Sequence, residues 1–329
     1  MVGAVPISSD ALTIKDVARE AGVSTGTVSR VLNKRAGVRH ETRETVLATV
    51  ERLDYRPDVA ARELSSRQAT RVGLSISKAS RRLTPFFMLF LEHIIAELQT
   101  GGYRVEEVPT RSDGLPERLS DAVVLFGAHA DDPRVRYLQD KDIPFVLVGH
   151  QKNVRYIMPD DFDGGLQATN HLLRLGHREI VHVGGPKHAQ VAFDRRSGYS
   201  AALEGAGLKE NASFVLDGDF SSLAAYRALR AAYARGLRFS AVFAASDEMA
   251  LGVLAALEDL GLNVPGDVSV VGFDDLPEIG EGLTTVRQDI GDIAARAVKL
   301  LKEGLRDEPV RHEVVQVNLI VRGTTARKR

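Results

Sequence analysis

The apolar residues near the start of the chain recur with the spacing of short amphipathic helices. They fall at Ile14, Val17, Ala18 and Ala21, then at Val28, Val31 and Leu32, and then at Val46, Val50 and Leu53. This three- and four-residue spacing predicts three helices. Thr13 can cap the first helix, Gly22 can end it in a left-handed turn, and Ser24 can cap the second. The short link Gly22-Val23-Ser24 makes the first two helices cross steeply, which predicts a helix-turn-helix unit.

From Val72 onward, short β-rich runs alternate with helical segments. The runs are RVGLSI, YRVEEV, AVVLF, PFVLVG, EIVHVG, SAVFAAS and DVSVVGF, and the segments between them include FFMLFLEHIIAEL, GLQATNHLLRL and DEMALGVLAALEDL. This alternation predicts parallel sheets flanked by helices. Ligands of such folds bind where the carboxyl ends of the strands meet the loops. Asp247 and Asp274 directly follow two of these runs, so we expect a polar site at that edge.

Length and composition fit a globular protein of more than one folded unit. The chain has 329 residues, of which 44% are hydrophobic and 26% charged, and at roughly 150 residues per domain this favours two or three units. It contains no cysteine, which excludes disulfides and thiolate chemistry. The start of the sequence lacks the features of a secretion signal, and no run approaches the length of a membrane span. We therefore expect a soluble cytoplasmic protein that does not contact a membrane.

Charge is unevenly distributed, although the formal net charge is only −1. Residues 21 to 40 contain no acid but carry Arg30, Lys34, Arg35 and Arg39, a concentration that suits a phosphate backbone. A solvated surface of mixed charge is the alternative.

On the second predicted helix, Thr25, Gly26, Ser29 and Arg30 face away from the apolar positions, where they could enter the major groove of DNA. Arg30 is the candidate base reader because a guanidinium can bind guanine O6 and N7 together; a phosphate contact is its other possible role.

Two stretches near the start of the chain resemble the DNA-binding headpiece and hinge of the LacI/GalR family of bacterial transcription regulators. They are TIKDVAREAGVSTGTVSRVLN, residues 13 to 33, and RETVLATVERLDYRPDVAARELSS, residues 43 to 66. The resemblance implies base-reading positions at Thr25, Gly26 and Arg30, and phosphate contacts at Thr13, Ser24, Ser29 and Asn33. Gly26 departs from the family because it has no side chain with which to read a base.

The same resemblance implies a headpiece at residues 1–56 and a hinge helix with its linker at residues 57–70. In the family, a hinge leucine wedges into the minor groove and kinks the duplex. Leu64 holds that position, with Ala61 and Arg62 beside it. A flexible tether without a wedge is the alternative for this segment.

Residues 71–329 resemble the family's effector-binding and dimerisation domain, an α/β fold similar to periplasmic sugar-binding proteins. The fold class expected for the whole chain is therefore a small all-α helix-turn-helix headpiece followed by a two-lobed domain with parallel sheets. Three chain crossings are expected near residues 175–177, 287–289 and 318–320. The N-terminal lobe would comprise about residues 71–175 and 289–318, and the C-terminal lobe about 176–288 and 319–329. The link between YRVEEV and AVVLF is shorter than the family's helix there, so the N-terminal lobe is expected to be abbreviated.

The resemblance also assigns a set of effector-binding positions to residues in specific motifs. They are Phe86 and Phe87 of TPFF, Asp160 and Asp163 of PDDFDGG, Arg195 of AFDRRSGYSAAL, Phe220 of GDF, Asp247 of ASDEMALG, Asp274 of VVGFDD and Gln288 of TTVRQD. Carboxylates and a guanidinium can each hold two hydroxyls, and an aromatic ring can cover a sugar face. The alternatives are core packing for Phe86 and Phe87, and helix capping for Asp160, Asp163 or Asp247.

The sequence lacks the motifs of phosphate-loop, zinc-protease, serine-hydrolase and dinucleotide sites. We therefore expect no enzyme activity, no cofactor and no metal; His177 and His182, five residues apart, more simply serve structural or surface roles. The expected function is a homodimeric transcription regulator, a repressor, that binds a pseudo-palindromic operator in double-stranded DNA and responds to a sugar. A purine or nucleoside effector is the alternative within this architecture. A sugar receptor without DNA function would belong to a different class.

Overall fold

The structure is a computed structural model that describes residues 14–32, 38–53, 70–77, 84–127, 132–277, 279 and 281–329. The chain divides into two compact units, Met1–Thr70 and Arg71–Arg329. Among the described residues, no helix is both long enough and apolar enough to cross a membrane.

The described part of the first unit contains the three predicted helices. They are α1 (Ile14–Glu20), α2 (Thr25–Leu32) and α3 (His40–Arg52). Their apolar faces meet in a core of Val17, Ala18, Val28, Val31 and Val46, as the helical spacing predicted. Gly22 has the left-handed φ of 63° that the turn after α1 requires, and the Val23 N–H donates to the Ala18 carbonyl at 3.0 Å. Such a turn satisfies carbonyl groups that the end of a helix leaves free.

The second unit is built on two six-stranded sheets. The first sheet has the order β11-β5-β4-β3-β1-β2 and the second the order β12-β10-β9-β8-β6-β7. All pairings are parallel except β10 with β12. The strands are β1 (Arg71–Ile76), β2 (Arg104–Glu107), β3 (Ala122–Phe126), β4 (Phe145–Val148), β5 (Tyr156–Pro159), β6 (Ile180–Gly184), β7 (Val215–Asp217), β8 (Ala241–Ala244), β9 (Ser269–Asp274), β10 (Thr284–Arg287), β11 (His312–Val315) and β12 (Asn318–Ile320).

Helices cover both faces of each sheet, as parallel strands require. They are α4 (Pro85–Thr100), α5 (Pro133–Asp140), α6 (Asp161–Arg174), α7 (Gln190–Gly205), α8 (Ser222–Ala234), α9 (Asp247–Asp259) and α10 (Ile290–Leu305). Helices α4 and α10 bury one face of the first sheet, and α5 packs on the other. Helices α8 and α9 cover one face of the second sheet, and α6 and α7 cover the other. Each sheet with its helices forms one lobe, so the two-lobed α/β fold with parallel sheets is confirmed.

The chain passes between the lobes three times, and the first passage differs from its expected position. Helix α6 buries Ala168 and Leu172 against Phe243 and Phe273 of the second sheet. The first passage therefore lies between β5 and α6, at residues 159–161, and not near residues 175–177. The second follows β10 at residues 288–289, because α10 packs on the first lobe. The third joins β11 to β12 at residues 316–317.

The link from β2 to β3 contains no helix across residues 108–121. A single antiparallel bridge pairs Thr110 with Pro116, and the Arg111 N–H donates to the Leu115 carbonyl at 2.8 Å. The short sequence TRSDGLPERLSD therefore folds as a compact loop at the β2 edge of the first sheet.

Helices α6 and α7 approach each other so closely that their contact tolerates only glycine. A Cβ at Gly198 would overlap the Phe162 carbonyl oxygen, and one at Gly165 would overlap the Arg195 carbonyl oxygen. Because a well-packed backbone contact cannot yield cheaply, we expect Gly198→Ala to lower the free energy of unfolding by about 1–3 kcal/mol. Urea denaturation measures this change.

Gly205 provides the control for that substitution, since it closes the same helix and an added Cβ would meet nothing within 4 Å. Gly205→Ala should leave stability unchanged or raise it by up to about 1 kcal/mol through helix propensity. Equal effects of the two substitutions would contradict the close crossing.

Candidate functional site

The start of α2 presents a polar surface on the first unit. Ser24, Thr25 and Gly26 are all exposed. Ser24 Oγ accepts a hydrogen bond from the Thr27 N–H at 3.1 Å, so the predicted cap of α2 is present. Ser29 and Arg30 fall on the same helix. Thr13, Asn33, Ala61, Arg62 and Leu64 lie outside the described residues.

In the second unit, Arg195 is the centre of a buried polar cluster. Helix α7 carries this side chain, which is only 5% exposed. Its Nε donates to Asp161 Oδ1 at 2.7 Å, and its Nη1 donates to the Ala245 carbonyl oxygen at 2.6 Å. The guanidinium lies 3.8 Å from the centre of the Phe273 ring, a distance at which cation–π attraction operates. Arg195 thereby links α7, the start of α6 and the carboxyl ends of β8 and β9.

Asp274 and Gln288 complete the cluster. Asp274 ends β9 with a φ of 121°, which lies in a region that residues other than glycine rarely adopt. Its Oδ1 lies 3.5 Å from Arg195 Nη1 and accepts a hydrogen bond from Gln288 Nε2 at 2.6 Å. Gln288 stands at the second passage between the lobes. The cluster therefore sits where the strand ends meet an interlobe segment, the edge at which α/β folds bind ligands.

Asp247 lies beside the cluster, and its carboxylate accepts hydrogen bonds from other parts of the second lobe. It is fully buried at the first turn of α9, whereas the cap of that helix is Ser246, whose Oγ accepts from the Met249 N–H. Asp247 Oδ1 accepts from Thr285 Oγ1 at 2.6 Å, and Oδ2 accepts from the Leu276 N–H at 2.9 Å. This carboxylate therefore joins α9 to β10 and to the turn after β9.

Three carboxyl groups are buried in or beside the cluster, and burial raises the pKa of each of them. Burial raises the pKa of Asp161 to about 6, although Arg195 opposes the shift. Burial also raises the pKa of Asp274, with Arg195 opposing and Asp247 reinforcing the rise. The pKa of Asp247 rises for the same reason. The cluster is consequently able to hold a proton near neutral pH.

Phe220 forms one wall near the cluster. Its ring centre is 6.0 Å from the Arg195 guanidinium carbon, and it lies against Gly185 so closely that a Cβ there would overlap the ring. Phe220 itself has a left-handed φ of 47°. Gly185 therefore permits the ring to approach the backbone after β6.

The two acids of the PDDFDGG run make local helix contacts. Asp160 caps α6, because its Oδ1 accepts from the Asp163 N–H at 3.0 Å. Asp163 Oδ2 accepts from Gln167 Nε2 at 2.6 Å within the same helix. Both side chains keep partial exposure. The capping alternative thus describes the observed contact of Asp160.

Phe86 and Phe87 belong to the first lobe. Phe87 is 2% exposed, and its ring centre lies 4.4 Å from that of Phe126. Phe86 is partly buried against the core under α4. The contacts described for both rings are therefore core contacts, as the alternative interpretation expected.

Two residues of the cluster were missed by the sequence analysis. Asp161 stands between the two acids that we had singled out, yet it is the one that pairs with Arg195. Phe273 supplies the ring under the guanidinium. The run of acids before α6 was a visible signal, but only the fold reveals which of them faces α7.

The cluster offers hydrogen-bond acceptors. Asp161 Oδ2 and Gln288 Oε1 are buried and have no hydrogen-bond partner within the described ranges. Buried polar atoms are normally paired, because an unmet hydrogen bond costs free energy. Two such acceptors beside a guanidinium suit a ligand that donates through hydroxyl groups.

His177 and His182 occupy separate internal positions. The His177 ring nitrogens contact Ser240 Oγ and Ser269 Oγ, each at 3.0 Å. His182 is fully buried on β6, stacked on Tyr199 with ring centres 5.1 Å apart.

Two family models match the chain. One, described as bacterial regulatory proteins of the lacI family, matches residues 13–58. The other, a periplasmic binding protein-like domain, matches residues 169–325. The helix-turn-helix and the strand ends that form the cluster both fall within these matches.

The chain also matches relatives over nearly its whole length. The chain is 35% identical to the HTH-type transcriptional regulator CelR of Thermobifida fusca, over 94% of this chain and 97% of that protein. It is 32% identical to the HTH-type transcriptional repressor PurR of Haemophilus influenzae (strain PittEE), over 91% and 93%. A solved complex of the transcriptional regulator CelR with cellobiose superimposes with a TM-score of 0.69 at 32% identity, covering 95% of this chain and 99% of that one. The lac repressor dimer bound to operator and the anti-inducer ONPF gives 0.69 at 26% identity, covering 96% and 100%.

Proposed function

This chain belongs to the LacI family of bacterial regulatory proteins and is a DNA-binding transcription regulator with an effector-binding domain, and from that premise we propose that it is a homodimeric repressor whose effector is a sugar. Its target is a pseudo-palindromic operator, because two equivalent headpieces read two equivalent half-sites. It carries out no catalysis, and it needs no cofactor or metal.

The observation that carries the sugar proposal is the buried cluster around Arg195. Asp161 Oδ2 and Gln288 Oε1 are two acceptors of this cluster that have no hydrogen-bond partner among the described residues, and Phe220 supplies a ring close to the guanidinium. A hydroxylated ring with an apolar face satisfies both features. The relative solved with cellobiose supports this ligand class.

The effector acts through the relative arrangement of the two lobes. It can shift that arrangement only through a difference in affinity for the alternatives. If the shift separates the N-terminal lobes of the dimer, the paired hinge helices come apart and Leu64 withdraws from the minor groove. Operator affinity then falls.

The DNA-binding proposal is tested by selecting duplexes from a random pool with the purified protein. The expected product is a pseudo-palindrome. Arg30→Ala should weaken binding to that duplex by about 1–3 kcal/mol and relax the preference at one position of each half-site. Arg19→Ala is the control, because Arg19 lies on α1 with its side chain 78% exposed and paired to Asp16. No preference for any duplex over random competitor would overturn the proposal.

The sugar proposal is tested by thermal unfolding with cellobiose and related sugars. A ligand present at about 100 times its dissociation constant adds about 2.7 kcal/mol to stability. We expect Asp274→Asn to abolish this shift while binding to the selected duplex is retained. A full shift in this variant would remove Asp274 from the site.

A purine effector is the second candidate, because Phe220 could stack on a base and because one relative is a repressor named PurR. Adenine and guanine belong in the same thermal screen. Stabilisation by a purine base but by no sugar would exchange the ligand class and leave the DNA-binding proposal standing.

A further inference from the structure

The turn after β9 inserts an apolar side chain of the second lobe into the core of the first. Leu276 is 4% exposed and belongs to the hydrophobic core that β1, α4 and α10 form. The strand that precedes it, β9, lies in the second sheet. Ile279 follows in the same turn, where its N–H donates to the Leu276 carbonyl at 3.1 Å, and it packs against the cores of both lobes. The Leu276 side chain thus joins the two lobes at a place where the main chain does not cross between them.

Polar contacts fix the base of this turn to the second lobe. The Leu276 N–H donates to Asp247 Oδ2 at 2.9 Å. Asp275 Oδ2 accepts from Arg287 Nε at 2.6 Å, and its Oδ1 lies 2.7 Å from Arg322 Nη2. Because these partners come from α9, β10 and the C-terminal segment, the turn moves with the second lobe as one body.

The turn is also continuous with the polar cluster. Asp274, two residues before Leu276, contacts Arg195 and Gln288. Its left-handed φ of 121° sets the direction in which the chain leaves β9. A change in the surroundings of the Asp274 carboxyl therefore acts on a strained backbone position that aims Leu276 at the first lobe.

We propose that Leu276 is the positioning residue that holds the two lobes in register and carries the state of the Arg195 cluster to α4 and α10. Its burial is complete only when the lobes adopt the arrangement seen here, so this arrangement gains an apolar contact that other arrangements lack. Packed cores change by discrete repacking more readily than by continuous deformation. The positioning role stands on the contacts alone; its link to effector response rests on the proposed function.

The absence of cysteine from the sequence allows a direct test of lobe positioning. Gln139→Cys on α5 and Glu204→Cys on α7 place one spin label on an exposed position of each lobe. Electron–electron distance measurement on the full-length chain, diluted with unlabelled chains so that each assembly carries one labelled copy, gives the interlobe distance distribution. We expect Leu276→Ala to at least double its width or to shift its centre, and Leu276→Met to restore the wild-type distribution.

A buried leucine elsewhere in the same core provides the control. Leu301 on α10 is fully buried in the first lobe, so Leu301→Ala should lower stability and leave the distance distribution unchanged. If Leu276→Ala does not fold, Leu276→Val and Ile279→Ala test the same contact with smaller losses of volume. A distribution in the Leu276 and Ile279 variants that matches that of Leu301→Ala would overturn the proposal.

The effector link has a separate readout, with cellobiose as the probe. In Leu276→Ala the thermal shift by cellobiose should stay close to wild type, while the ratio of operator affinities without and with cellobiose falls at least tenfold. A wild-type ratio in this variant would overturn the link. A wild-type protein that ignores cellobiose would instead count against the proposed sugar, and the label distances would still decide the positioning role.

Discussion

Replacement of Arg195 by methionine is expected to lower the free energy of unfolding by about 3–5 kcal/mol, the usual cost of removing one partner of a buried ion pair. The Asp161 and Asp274 carboxyls would remain buried without the guanidinium that now lies 2.7 Å and 3.5 Å from them. Methionine keeps much of the side-chain volume, so the loss reports the missing charge. Equilibrium urea denaturation at neutral pH measures it.

Arg196, the next residue on α7, gives a matched control. It pairs with Glu210 near the surface, where its side chain is 43% exposed. Exposed pairs contribute about 0–1 kcal/mol, so Arg196→Met should have a small effect. Similar losses from the two substitutions would show that position on the helix, and not the buried charge, sets the cost.

The pH dependence of the Arg195→Met effect separates charge from packing. Arg195 lowers the pKa of both Asp161 and Asp274 against the rise caused by burial. Without the guanidinium, both carboxyls stay protonated to higher pH, so the loss of stability should grow as pH rises. Adding Asp161→Asn to Arg195→Met should recover part of the lost stability, because it removes one of the two unpaired carboxyls. A loss that is constant across pH would argue for packing alone.

The sequence predicted most of the headpiece because its signals are local. Helical spacing, Gly22 and Ser24 act within a few residues of one another, and the observed turn and cap follow from them. The parallel sheets were likewise predictable, since seven of the twelve strands described correspond to the short β-rich runs RVGLSI, YRVEEV, AVVLF, PFVLVG, EIVHVG, SAVFAAS and DVSVVGF.

The composition of the polar cluster was less accessible to sequence reasoning, because it depends on which parts of the chain meet. Arg195, Asp274 and Gln288 lie together in the structure, and the acid that pairs with Arg195 is Asp161 and not the neighbouring Asp160 or Asp163. A helix position one residue along turns a side chain by about 100°. Only the packing of α6 against α7 decides which acid of the run is buried.

The first passage between the lobes was misplaced for a related reason. Helix α6 carries an amphipathic pattern that would fit either sheet, and periodicity alone does not identify the partner. Helix α6 packs on the second sheet through Leu172 and through Gly164, where an added Cβ would overlap the Phe273 ring.

Acidification is expected to weaken the fold through His182. This side chain is fully buried between Tyr199 and Phe243, and burial lowers its pKa to about 4 from an ordinary value of 6.5. The folded state therefore binds fewer protons than the unfolded state across this interval. The stability that neutral His182 contributes is complete above pH 6.5 and is lost as pH falls towards 4, by about 2 kcal/mol between pH 7 and pH 5.

His182→Leu removes the titrating group at similar volume, and His188→Leu, at an exposed position in the following loop, is the control. The buried carboxyls with raised pKa values act in the opposite sense, since their contribution is lost as pH rises. The wild type and His182→Leu both carry these carboxyls. Their contribution to stability therefore cancels when the pH dependence of the variant is subtracted from that of the wild type. Urea denaturation at pH 7 and pH 5 should give a smaller pH effect in His182→Leu and the wild-type effect in His188→Leu. If His182→Leu keeps the full wild-type loss, another group must take up the proton on acid unfolding.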